Sequence, residues 1–176
     1  MKKIAIVGNI GGGKTLLSRR LSQLHNLPLT HVDAIEFLPG LKRRSAAESI
    51  DQLRTIEQQD SWLIDGYGPL DLIQHRFALA DAIVFIDLPI TLHFWWTLKR
   101  QIKNIWSPRA ELPPGCQELG LDHTKRLFKS LLNMHRNMRP ELLKLFSREN
   151  LKHKVIYIRN RREWKKCFRD GLVRAT

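Results

Sequence analysis

The chain has 176 residues, 43% of them apolar, which is enough for one hydrophobic core, so a single domain over 1–176 is expected. No apolar run approaches the ~18 residues a membrane-spanning helix needs, the start lacks the charged and apolar regions of a signal peptide, and Cys116 and Cys167 lack the paired spacing of a disulfide or metal motif. A cytoplasmic protein is therefore expected, and its formal charge of +13 points to polyanionic partners, in excess of what one nucleotide triphosphate needs.

Lys3-Ile4-Ala5-Ile6-Val7 is a short apolar, β-branched run suited to a buried parallel strand, and Leu17, Leu21 and Leu24 recur at helical spacing. Between them lies Gly8-Asn9-Ile10-Gly11-Gly12-Gly13-Lys14-Thr15, which fits G-x-x-x-x-G-K-[ST], a phosphate-binding loop. Gly8, Gly11, Gly12 and Gly13 permit the backbone conformations in which successive N–H groups converge on one anion. A helix starting at Lys14 adds its positive end. Lys14 is expected on the β- and γ-phosphates of ATP and the Thr15 hydroxyl on Mg²⁺, with Leu16 completing the nucleotide-contacting stretch. Asn9 and Ile10 carry less information.

Leu27 to Asp33 reads as a second strand ending in a carboxylate. Ligands gather at the carboxyl ends of parallel strands, so Asp33 is a candidate general base or acceptor anchor, or else a cap for the following turn. Ser45 to Gln59 has the pattern of a polar helix. Ser61 to Gly66 reads as a third strand, and Asp65 at its end is placed as a metal-binding carboxylate beside the loop. A helix over Leu70–Leu79 and a fourth strand over Asp81–Asp87 follow, with Asp87 read as a structural carboxylate. Arg76 is either a phosphate contact or a solvated charge.

Leu92 to Trp106 is a basic, tryptophan-bearing helix, and Trp95, Trp96 and Trp106 are read as packing residues. Proline and glycine between 107 and 120 exclude regular structure. A long helix runs from Asp122 to Phe146, which Pro140 should end or kink. Lys154 to Ile158 is a fifth strand and Arg162 to Asp170 a last helix. Arg100 and Arg109 could neutralise charge on a transferred phosphoryl group, and Arg159 could meet the base of the donor nucleotide. The alternation of strands and helices indicates a three-layer α/β sandwich with a parallel sheet.

The phosphate loop, His31-Val32-Asp33, Trp62-Leu63-Ile64-Asp65-Gly66, the run from Ala80 to Pro89, and Arg109 through Cys116 and Glu118 resemble the adenylate-kinase-like P-loop proteins of the DNA topology modulation type. The resemblance implies a P-loop NTPase fold with sheet order 2-3-1-4-5, an ATP or GTP donor with Mg²⁺, and a basic lid around 100–122. Tyr67-Gly68-Pro69 departs from the Pro-Arg that follows Asp-Gly in adenylate kinases, so AMP is not singled out as acceptor. The expected function is an ATP-dependent phosphotransferase acting on a small molecule. The alternative is a nucleotide-regulated nucleic-acid-binding protein with little kinase activity. Weak, non-specific nucleic-acid association that does not respond to ATP is expected of the phosphotransferase.

Overall fold

Ile4, Ala5, Ile6 and Val7 are all at most 1% exposed, which requires cover on both faces of their strand, β1 (Lys3–Gly8). The computed structural model describes residues 1–39, 42–104 and 121–172. β1 pairs in parallel with β5 (Trp62–Asp65) on one side and β6 (Ala82–Ile86) on the other. β2 (Leu29–His31) lies outside β5, and β7 (Val155–Ile158) outside β6, both parallel. Counting only this sheet's strands along the chain, the order is 2-3-1-4-5, as expected.

Helices cover the two faces. Leu17 and Leu21 of α1 (Lys14–His25) and Cys167 of α9 (Arg161–Asp170) pack with Ile4, Ile6, Leu63 and Val84. On the opposite face Ala5, Val7, Ile64, Ile83 and Phe85 meet Leu53 of α3 (Ala46–Glu57), Phe77 of α4 (Leu70–Leu79) and Phe146 of α7 (Arg139–Phe146). Phe146 lies 5.3 Å from the Phe77 ring and 5.2 Å from that of Phe85. These contacts make the predicted three layers. Among the described residues no helix is long and apolar enough to cross a membrane.

Three departures from the sequence reading bear on the site. The second strand stops at His31, and Val32–Glu36 form a one-turn helix, α2, so Asp33 sits in a first helical turn instead of closing a strand. Val32 drives this turn inward: it is buried, and a Cβ on Gly66 would lie 2.8 Å from its own. Next, Phe37–Leu38 (β3) and Lys42–Arg43 (β4) form a small antiparallel ladder before α3.

The third departure is Pro140, which does not end the helical run; the irregularity expected there takes another form. α6 (Leu121–Asn133) passes through a π-helical turn, Met134–Met138, into α7. The wide turn takes up the missing N–H and the ring clash that Pro140 would bring to a regular helix. Of the lid expected around 100–122, residues 100–104 end α5 (Ile90–Asn104) and 121–122 begin α6, while 105–120 lie outside the described residues, Arg109 and Trp106 with them. A short helix, α8 (Glu149–Lys152), precedes β7.

Candidate functional site: a phosphate loop beside a small cavity

At the carboxyl end of β1 the chain leaves the sheet at Gly8 and enters α1 at Lys14. Gly11 and Gly13 have φ of 72° and 75°, the left-handed region where a side chain is strained, and Gly13 caps α1 without a side-chain hydrogen bond. The first N–H groups of α1 thus lack a side-chain acceptor and face an anion site of the kind helix N-termini provide. The Lys14 ammonium lies back over the loop, donating to the Asn9 carbonyl at 3.1 Å, while the Gly12 N–H donates to the same oxygen at 3.2 Å. Thr15 is half-buried and Leu16 is 56% exposed.

Neighbouring helices grip this loop. Asn9 donates through Nδ2 to the Leu131 carbonyl of α6 at 3.1 Å, and its Oδ1 accepts from the Ile10 N–H at 2.7 Å. From α5, His93 donates through Nδ1 to the Ile10 carbonyl at 2.9 Å. Thr97, one turn on, is fully buried, and a Cβ on Gly11 would come within 2.1 Å of its hydroxyl oxygen. On the far side Trp164 of α9 lies against Gly13, stacked on Phe168 at 5.2 Å and edge-on to Trp96 at 5.9 Å.

Burial, with the Lys14 and His135 charges nearby, pushes the His93 imidazole down to about 4, partly opposed by its bond to Ile10 and by Asp87. It is neutral near pH 7. Because the unfolded chain binds a proton at about 6.5 and the folded one only near 4, stability rests on the neutral form above 6.5 and is lost as pH falls from 6.5 to 4. The expected loss is about 3 kcal/mol. Denaturant titrations of the parent and of His93→Phe across that window should show a clearly flatter profile in the variant.

Asp65 closes β5 and is buried. Its Oδ2 accepts from the His31 Nδ1–H at 3.1 Å and from the Ser18 hydroxyl at 3.3 Å, which ties it to α1 one turn below Thr15. Its Oδ1 is buried without a hydrogen-bond partner. A buried carboxylate oxygen with spare lone pairs suits water-clad Mg²⁺, which typically takes one or two carboxylates plus substrate phosphates. Among the described residues no cluster of three or more His, Cys, Asp or Glu could hold a metal alone, so Thr15 and Asp65 would share such an ion with phosphate oxygens. Asp65→Asn should then abolish the Mg²⁺ dependence of ATP binding and leave metal-free affinity nearly unchanged in calorimetry. The same pattern from Asp87→Asn instead would place the metal on the other strand.

Beyond β6, Asp87 forms a two-pronged ion pair with Arg139 of α7, at 2.6 and 2.9 Å, which raises the arginine's already high basicity further. The pair borders a small cavity, no roomier than about one water molecule, whose wall also includes Asn9, Tyr67, His93 and His135. The phosphate loop and this cavity therefore share Asn9 and, through His93, α5.

The other sequence candidates are dispersed. Asp33 is exposed on α2, and the side chain facing Asp65 from that strand end is His31. Arg100 is half-buried on α5, three residues past Thr97. Arg159 is exposed, its guanidinium 4.5 Å from the centre of the Tyr157 ring. Arg76 is fully buried on Glu57 at 2.8 Å and holds the Gly66 and Tyr67 carbonyls at 3.0 Å each, an internal brace and not a solvated charge. The packing expected of the tryptophans holds for Trp96, whereas Trp95 is 49% exposed under Lys99. His93, Thr97, Arg139 and Trp164 escaped the sequence reading. The only signal there is position: His93 and Thr97 lie on the helix after β6 and Trp164 on the helix after β7, whereas Arg139 has none.

Fold and loop together define a three-layer α/β protein with a phosphate-binding loop pattern between its central strand and first helix. The structure is similar to that of shikimate kinase from Acinetobacter baumannii, solved in complex with shikimate, at 15% identity over 80% of this chain and 79% of that one, with a TM-score of 0.52. A putative kinase from Chloroflexus aurantiacus aligns at 19% identity over 72% of this chain and 77% of that one (TM-score 0.46), and an uncharacterized protein from Eubacterium ventriosum at 15% over 90% and 89% (TM-score 0.48). At these identities the likeness is one of fold. No family model matches the chain. No curated protein matches it in sequence.

Proposed function

We propose that the protein is an ATP-dependent phosphotransferase whose small-molecule acceptor docks at the carboxyl ends of the strands beside the phosphate loop. The observation that carries this reading is the loop's geometry: the chain leaves β1 at Gly8, Gly11 and Gly13 are left-handed, and Lys14 opens α1. Bound Mg·ATP supplies the phosphoryl group and the divalent charge. Lys14 exchanges the Asn9 carbonyl for β- and γ-phosphate oxygens, and Thr15 and Asp65 hold the metal. Asp33 is assigned to orient the acceptor, Arg100 and Arg109 to neutralise charge on the transferred group, and Arg159 to meet the base. A screen with γ-labelled ATP and GTP against nucleosides, nucleoside monophosphates and small hydroxylated or carboxylated metabolites tests the reading. Label transferred only to water across the whole set would count against it.

One observation favours the second reading, a nucleotide-regulated nucleic-acid binder of the DNA topology modulation type. Arg161, Arg162, Lys165, Lys166 and Arg169 are all exposed on one side of α9. Such a face binds duplex phosphates without sequence preference and with steep salt dependence. We expect DNA association at low salt that disappears near about 0.15 M and ignores ATP. Binding that persists there and changes several-fold between ATP and ADP, followed by fluorescence anisotropy, would favour the regulatory reading.

A further inference from the structure

The P-loop pattern specifies glycines, a lysine and a hydroxyl, and is silent about what holds the loop's carbonyls. Ile10 contributes one of them, and its partner is the Nδ1–H of His93 at 2.9 Å, a side chain only 1% exposed and 83 residues away in sequence. In a planar trans peptide the carbonyl and the following N–H point in opposite directions. Fixing the Ile10 carbonyl on α5 therefore fixes the Gly11 N–H on the other side of the same peptide, away from the helix. We infer that His93 is a positioning residue for nucleotide binding: by holding the Ile10 carbonyl it aims the Gly11 N–H into the phosphate nest. This rests on the phosphate-loop reading above and adds a residue that the loop motif does not contain.

Two further contacts support it. The fully buried Thr97 and the His93 carbonyl leave no room for a Cβ at Gly11, the nearest approaches being 2.1 and 2.7 Å, so α5 is seated directly on the peptide in question. Next to Ile10, Asn9 is held by the Leu131 carbonyl of α6, so the front of the loop is anchored at two consecutive residues from two helices. The His93 ring also borders the small cavity beside the Asp87–Arg139 pair.

The test exploits the position of the donor atom. Asparagine at 93 places an amide nitrogen on Cγ, where Nδ1 stands in histidine; glutamine places it one bond further out. His93→Asn should bind Mg·ADP within about three-fold of the parent, and His93→Gln about ten-fold more weakly, the effect of one lost hydrogen bond. Calorimetry gives the affinities, and thermal melting shows that each variant is folded. Equal weakening in both variants, or parental affinity in both, overturns the inference. Should the glutamine variant fail to fold, His93→Ser takes its place, and parental affinity there is equally fatal. A parent protein that binds no Mg·ADP would overturn the phosphate-loop reading itself, which keeps the two failures distinct.

Discussion

Lys14→Ala is expected to abolish phosphotransfer, by at least about a thousand-fold, because the charge that compensates the β- and γ-phosphates in the transition state is removed. Mg·ATP binding should weaken as well, but less, since the backbone N–H groups of the nest survive. The ammonium is already committed to the Asn9 carbonyl at 3.1 Å without nucleotide, so part of what it gains on the phosphates replaces a contact it gives up. Lys14 is half-buried at the start of α1 and outside both apolar clusters, so the variant should melt close to the parent. Single-turnover assays with γ-labelled ATP, with calorimetry for affinity, separate the two effects. Unchanged turnover would remove Lys14 from the site.

The largest stability effect is expected on the opposite face of the sheet, between α3 and α4. Arg76 and Glu57 are both fully buried and joined at 2.8 Å, with His75 donating to the second Glu57 oxygen at 3.0 Å. Replacing Arg76 with Met strands a buried carboxylate and strips the donors from the Gly66 and Tyr67 carbonyls. A cost of about 3–5 kcal/mol follows, a large share of the 5–15 kcal/mol that holds an average domain together. The double variant Arg76→Met with Glu57→Leu should recover much of the loss, because apolar pairs of similar volume replace buried ion pairs at little net cost. Urea denaturation decides the matter. A double variant no more stable than the single one would show that the carbonyl contacts, and not the charge pair, dominate.

How legible this was in the sequence depended on range. Strand, glycine loop and α1 could be read because their residue types are dictated by local backbone and phosphate chemistry, and α4 was read with the bounds it has, Leu70–Leu79. Asp65 could be placed at a rim because a strand end is a local property. What was hidden is non-local. Arg76 reads as either a phosphate contact or a solvated charge until Glu57, 19 residues earlier, is folded beneath it. Asp87 finds Arg139 across 52 residues, and His93 reads as one polar residue in an aromatic helix until Ile10 is placed against it. The β3–β4 ladder has two-residue arms, too short to show periodicity, and Pro140 marked an irregularity in the helical run without showing that it is a π turn and not an end.

The indole of Trp164 touches Gly13, so a chromophore native to the chain sits at the mouth of the nest. Its Nε1–H is buried with no acceptor and its ring stacks on Phe168. A polyanion arriving a few ångströms away in a low-dielectric setting changes the field across that ring strongly. Intrinsic emission is thus a label-free readout of loop occupancy. Trp62 lies in the core and Trp95 on the surface, so they add a steady background, while Trp96, 5.9 Å from Trp164, shares its excitation. Trp164→Phe isolates the responsive component, and every affinity discussed above becomes accessible to a fluorimeter.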